Sequence, residues 1–234
     1  MSRGVALQVH KLRYGFSGQA HALLDVPVLE LPAGQSLGLS GASGAGKTTL
    51  FHCLAGIAKP WSGQVVWGDT DICTLTPEAL AAWRRQHLGL VFQDFHLVDG
   101  LTALDNVLLP AYFGHWRVAP AVKARAHELL AAVNMHAPKR LAAVLSRGER
   151  QRVAFARALL LQPAIVMADE PTASLDPEQR VQLGDLLVAL ARSQGTTLVV
   201  ISHEPDLLAR LDRSLVLQKG QLQAPVNKEV VVTP

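Results

Sequence analysis

Gly41-Ala42-Ser43-Gly44-Ala45-Gly46-Lys47-Thr48-Thr49 follows a short apolar run, Ser36 to Ser40, and leads into another, Leu50 to Ile57. Glycine-rich turns between strands and helices are common, but the spacing G-x-x-x-x-G-K-[ST] is far more selective. Gly41, Gly44 and Gly46 allow a tight turn, so that the N–H groups of the loop, those of Ala42, Ser43 and Ala45 included, can converge on phosphate oxygens. Lys47 adds a point charge suited to β- and γ-phosphates, and Thr48 a hydroxyl suited to Mg²⁺. A helix starting near Lys47 aims its positive dipole end and unpaired N–H groups at the same anion. The stretch therefore predicts a strand, a phosphate-binding loop and a helix, in that order.

The 234 residues, 49% apolar and 18% charged, suffice for one large α/β domain or two small lobes. The formal net charge is +3, and its Lys and Arg residues are scattered, so charge alone is a weak pointer to nucleic acid or an anionic membrane. Cys53 and Cys73 form no CxxC or metal-ligand pattern and read as buried, inert thiols of a reducing compartment. Met1-Ser2-Arg3-Gly4 carries no apolar signal region, and no run nears the ~20 apolar residues of a membrane span. The expectation is a chain that is not exported and meets a membrane only through a partner.

Outward from the loop, apolar strand-like runs alternate with helical spacing. Strands are expected at Val5–Leu12, Val26–Leu31, Gln64–Trp67, His87–Phe92, Ala164–Ala168, Thr196–Ile201 and Ser214–Gln218. Helices are expected from Pro77, with Thr76 as N-cap, and over Val118–Val133, Gly148–Leu161, Pro177–Arg192 and Pro205–Leu211. Gly68–Thr74 reads as turn, and the tail after Leu222 as loose. The alternation predicts an α/β fold with a parallel sheet.

A bound nucleotide becomes a hydrolysed one only with a metal holder and a group that handles water. Asp169 ends the buried run Ala164–Ala168, where its carboxylate would meet a Mg²⁺ held by Thr48. The adjacent Glu170 can take a proton from attacking water. His203, after the run Thr196–Ile201, can reach a γ-phosphate, and Gln93, after Phe92, offers an amide oxygen to Mg²⁺ or water.

The order of these motifs resembles the ATP-binding cassette (ABC) ATPases over nearly the whole chain. Leu145-Ser146-Arg147-Gly148-Glu149-Arg150-Gln151-Arg152 stands where that family has LSGGQ. The resemblance implies a phosphate-loop fold of RecA-like parallel-sheet core, an N-terminal antiparallel β part, and a helical subdomain at about 94–160 within a single domain, 1–234. It implies ATP and Mg²⁺ as ligands, with Lys47, Thr48, Thr49, Gln93, Asp169, Glu170 and His203 from one copy. Ser146, Gly148 and Glu149 would come from a second copy, so that two ATP molecules are sandwiched in a homodimer. Tyr14 would stack on adenine, with Phe16 as the competing aromatic, and Ser174-Leu175-Asp176 would touch the opposite protomer.

Two residues depart from LSGGQ. Glu149 in place of glutamine is similar to lipoprotein-releasing and macrolide-exporting relatives. Arg147 in place of glycine would strengthen ATP-dependent closure, alter the approach of Gly148, or point into solvent; the last is favoured. The run Val91 to Leu97, followed by Leu101 to Pro110, also resembles that branch, in which a cytoplasmic helix of a membrane subunit docks near the glutamine loop. Phe95, Leu97, Val98 and Leu101 would form the docking surface, or else pack the helical part onto the sheet.

The reading is an ATPase subunit on the cytoplasmic face of the inner membrane, peripheral through a separately encoded permease and driving export or extraction of a lipoprotein, peptide or drug-like substrate, with no nucleic-acid partner. The other readings are a mechanotransmission or signalling complex with the same ATPase half, and a nucleic-acid-associated ABC ATPase. The last normally carries a second cassette or a coiled-coil or zinc insertion that this chain lacks.

Overall fold

The computed structural model describes residues 4–16, 18, 21–113, 117–173 and 175–224. Ser17, Ser174 and most of the tail after Leu222 lie outside them.

Strands near the N-terminus alternate buried and exposed residues, as a sheet with one covered face must. β1 (Leu7–Tyr14) pairs antiparallel with β2 (Leu24–Leu31) and β4 (Ser62–Trp67), and β5 (Thr70–Asp71) extends the sheet in the order β2-β1-β4-β5. The β1–β4 register shifts between His10 and Arg13, where Lys11 has φ 50. This bulge puts Leu7, Val9, Leu12 and Tyr14 on the same inward side.

The strands of the second sheet are nearly continuous apolar runs. β3 (Ser36–Ser40), β6 (Leu88–Val91), β7 (Ile165–Asp169), β8 (Thr197–Ile201), β9 (Arg213–Gln218) and β10 (Gln221–Gln223) form the order β10-β9-β3-β8-β7-β6. All pairs are parallel except β10 on β9. Every residue of β7 and β8 is buried, because both faces are covered. On one face Leu37, Leu39, Ile165, Met167, Val199 and Ile201 pack with Leu50, Phe51 and Leu54 of α1 (Lys47–Leu54) and with the antiparallel sheet. On the other, Val166, Ala168, Leu198 and Val200 share a core with α3 (Ala103–Tyr112), α4 (Pro120–Ala132), α5 (Arg147–Leu159) and α6 (Pro177–Gln194).

α2 (Pro77–His87) starts as expected: the Thr76 hydroxyl accepts from Ala79 N at 3.3 Å, with proline at the first helical position. α7 (Pro205–Ala209) is shorter than its spacing suggested. Two strands were not expected. β5 interrupts the turn-rich Gly68–Thr74, and β10 holds a single apolar residue, Leu222, between two glutamines, which gives no strand period to read. Parallel pairing brings the carboxyl ends of β3, β6, β7 and β8 to one edge of the sheet, where ligands of open α/β sheets bind.

Candidate active site

Between Ser40 and Lys47 the backbone turns through three glycines of positive φ: Gly41 at 146°, Gly44 at 77° and Gly46 at 99°. Gly41 also passes so close to the Leu217 carbonyl that a Cβ would collide with it. Gly46 is the N-cap of α1 and offers no side chain to the first-turn N–H groups, which stay available to an anion. Lys47 folds back over the loop, its Nζ donating to the carbonyls of Gly41 at 2.8 Å and Ala42 at 3.0 Å. Its ammonium is thus held at the mouth of the turn.

The loop lines a cleft of about 890 Å³ with residues from the other strand ends. Asp169 closes β7, and its Oδ2 accepts from the Thr48 hydroxyl at 3.0 Å. Burial raises the Asp169 carboxyl, with the Thr48 hydrogen bond and the charges of His52 and Lys47 opposing. Glu170 turns away from the strand direction at φ 48, and its N–H donates to the Ile201 carbonyl at 2.9 Å. This left-handed turn swings its carboxylate to within 3.3 Å of His203 Nε2, although the N–H is not aimed for a hydrogen bond. Glu170 is also raised, by burial first; the His203 charge opposes and Asp169 adds to the rise. An upshifted carboxylate beside a histidine is the arrangement expected of a proton acceptor.

Ser43, Gly44, Gly46, Lys47, Thr48, Thr49, Gln93, Asp169, Glu170 and His203 all face this cleft. Gly41, Ala42 and Ala45 shape the loop without lining it. Of the two aromatics, Phe16 lines the cleft and is half exposed, whereas Tyr14 packs against the core beneath, its ring edge-on to Phe16 at 5.7 Å. Sequence reasoning gave no role to Leu23, Ala173, Arg180, Glu204, Pro205 and Asp206, which complete the lining. Only Glu204 and Pro205 had a signal, their adjacency to His203.

Ser146, Gly148 and Glu149 lie outside the lining. Ser146 caps α5, its hydroxyl accepting from Glu149 N at 3.3 Å while Glu149 Oε2 accepts from Ser146 N at 2.8 Å. Glu149 also pairs with Arg140 at 2.6 Å. These bonds, the Ser146 backbone first, hold its carboxyl below the ordinary range. The Glu149 side chain is therefore committed to the start of its own helix and to Arg140. Arg147 is exposed, as favoured, and its guanidinium lies 5.6 Å from the centre of the Phe95 ring.

Phe95 and Leu97 are buried in the core, so they pack the helices and offer no docking surface; Val98 is exposed. Arg157 of α5 pins this segment by donating to the carbonyls of Phe95 at 2.5 Å and His96 at 2.6 Å, two residues of positive φ. The apolar groove nearby lies instead between Leu90, Phe92, Leu109, Phe113 and Leu161, with Arg84 and Arg85 at its side and a volume of about 460 Å³. Burial raises the Cys53 thiol to about 12, as an inert core cysteine requires.

A glycine loop ahead of α1, with Thr48 bonded to an aspartate at a parallel strand end and a glutamate beside it, defines a phosphate-loop nucleoside triphosphatase. Residues 24–173 match the family described as ABC transporter, and the chain belongs to it. The lipoprotein-releasing system ATP-binding protein LolD of Shewanella oneidensis is 41% identical over 202 residues, 86% of this chain and 87% of that one. LolD of Idiomarina loihiensis is 41% identical over 205 residues, 87% and 89% of the two chains. Among solved structures, the dimeric MJ0796, a bacterial ABC transporter cassette, superposes with a TM-score of 0.85 at 30% identity, covering 93% of this chain and 96% of the other. The post-hydrolysis dimer of the same cassette with ADP and Pi gives 0.83 at 29%, over 93% and 96%. The chain is an ATP-hydrolysing subunit of that family.

Proposed function

We propose that two copies of this chain close around two ATP molecules and thereby pull on a separate integral-membrane permease that extracts lipoprotein. The observation that carries the composite site is spatial: Lys47, Thr48, Gln93, Asp169, Glu170 and His203 share one cleft, while the helix start at Ser146 lies outside its lining. A capped helix N-terminus outside its own cleft fits a second copy's γ-phosphate. Lipoprotein as cargo rests on the likeness to LolD, at 41% identity over most of both chains. The likeness to dimeric cassettes supports the pairing of copies.

Thr48, Gln93 and Asp169 would hold Mg²⁺, being a hard-oxygen set with one carboxylate, which suits a metal that shares its sphere with phosphates and water. The metal would neutralise charge on the phosphates. Lys47 would leave the loop carbonyls for the β- and γ-phosphates, Glu170 would accept the proton of attacking water, and His203 would orient the γ-phosphate end. Phe16, in place of Tyr14, would take the adenine face.

Residues 94–160 would act as a helical subdomain within the single domain. A short cytoplasmic helix of the permease would enter the groove between Phe92, Leu109, Phe113 and Leu161. That would place the subunit on the cytoplasmic face of the inner membrane; no helix among the described residues is long and apolar enough to cross it.

The test is a Glu170→Gln subunit, alone and with its membrane partner, run on a sizing column with Mg-ATP. It should shift to a dimer with ATP and return to monomer when the nucleotide is removed. A species that stays monomeric at saturating Mg-ATP, even with the permease present, overturns the composite site.

A further inference from the structure

Arg180 belongs to no motif, yet it stands in the cleft lining on the first turn of α6. Its Nε lies 2.9 Å from Glu204 Oε1, an ion pair whose N–H is not aimed for a hydrogen bond, with the carboxylate 14% exposed and the arginine 37%. Its Nη2 donates to the Leu175 carbonyl at 3.1 Å. One guanidinium therefore ties two loops together, the one that leaves β8 through Ser202 and His203 and the one that joins β7 to α6. A guanidinium suits this double task because one nitrogen can donate a hydrogen bond while the delocalised charge meets a carboxylate beside another.

Each loop leads on to chemistry. His203, adjacent to Glu204, sits 3.3 Å from Glu170. The Leu175 side chain lies 3.1 Å from the point a Cβ on Gly148 would occupy, and Gln179 Oε1, beside Arg180, lies 2.9 Å from it. A side chain at position 148 would press on both, so the start of α5 rests directly against the Leu175 loop. Leu175 and Gln179 thus lie against the first turn of α5, whose N-cap is Ser146.

We propose that Arg180 is a positioning residue that fastens the His203 loop to the Leu175 loop, so that nucleotide in one cleft sets the placement of Ser146 for the other. The proposal rests on the composite-site reading above. Because its charge is already met by Glu204 and a carbonyl, Arg180 acts through those partners and leaves the phosphates to Lys47.

The experiment measures ATP hydrolysis by the full-length subunit carrying Arg180→Gln, Glu204→Gln, Arg180→Lys, or the exchange Arg180→Glu with Glu204→Arg. Each neutral variant should lower kcat about ten-fold, leave KM for ATP within about two-fold and drive the Hill coefficient towards one. Arg180→Lys, keeping the ion pair and losing the guanidinium, should fall between; the exchange should recover much of the loss. Neutral variants with parental kcat and Hill coefficient overturn the proposal. So does a rise confined to KM, which marks a direct phosphate contact, or a loss that tracks only a lower melting temperature, which marks a structural role. If the exchange does not fold, lysine against glutamine at position 180 decides.

Glu170→Gln and His203→Ala are measured alongside. Near-normal turnover there with a slow Arg180→Gln removes the assigned base and keeps the strap, and the converse removes the strap alone.

Discussion

The Thr48 hydroxyl and the Asp169 carboxylate meet at 3.0 Å, joining the first turn of α1 to the end of β7. The bond holds two hard-oxygen groups side by side, and the same pair would share a divalent cation once the hydroxyl turns its lone pair outward. Asp169→Asn keeps the volume and an acceptor for Thr48 but removes the negative charge. Turnover should fall by about 10²–10³-fold while nucleotide affinity without metal stays near parental, since what is lost is charge placed for the transition state. Steady-state hydrolysis and binding of ATP in EDTA check this; a variant as active as the parent would take Asp169 out of the metal site.

The loop and its two acidic partners were legible because their spacing is local and the backbone they need is dictated by glycine and by a buried strand. Gly41 must clear the Leu217 carbonyl, and β7 must run apolar to be covered on both faces. Tyr14 packs against the core, with Phe16 on the cleft wall, because one bulge at Lys11 changes which residues of β1 face inward, and nothing in the local pattern announces it. Phe95 and Leu97 are buried by helices that reach them from elsewhere in the chain, so their exposure was not a property of their own segment. Arg180 has no motif; its partners, Glu204 and Leu175, are brought to it only by the fold.

Glu170 should give the enzyme an acid limb above the ordinary carboxylate range, near ~4.3 for free glutamate. Burial raises its carboxyl, so the proton stays on to a higher pH and the base is blocked there. The same shift acts on stability. A carboxyl that binds its proton more tightly when folded stabilises the protein below its unfolded value and loses that contribution as pH rises through the folded one. Glu170→Gln should therefore melt higher than the parent above this window, with the difference closing towards pH ~4. Melting curves across pH read it directly; equal midpoints at neutral pH would contradict the burial cost.

Phe16→Ala and Tyr14→Ala should separate binding from stability. The ring on the cleft wall is Phe16, and a base stacked on an aromatic is worth ~1–3 kcal/mol, so its loss should raise KM for ATP about ten-fold at little cost to folding. Tyr14 contributes to the core under β1, and its truncation should cost about 2 kcal/mol of stability with KM nearly unchanged. Denaturant titration beside steady-state kinetics distinguishes the two; the opposite pattern would return the adenine to Tyr14.

Glu149 tests whether the segment that stands in the place of LSGGQ is set by helix capping. Its carboxylate closes a reciprocal pair with Ser146 and reaches Arg140, which accounts for its lowered carboxyl. A group lowered in this way adds stability above its unfolded value, near ~4.3, and loses it as pH falls through the folded one. Glu149→Ala should cost ~0.5–2 kcal/mol at neutral pH, whereas Glu149→Gln, which can still accept from the Ser146 N–H, should cost less. Both should bind ATP in the monomer as the parent does, because the side chain is outside that cleft. In the dimer they should part: alanine keeps the Ser146 hydroxyl's bond to the backbone N–H of position 149 but loses the acceptor for the Ser146 N–H, which weakens ATP-driven pairing, while glutamine preserves it. Equal dimerisation by all three forms would mean that Ser146 is positioned by the Leu175 contact alone.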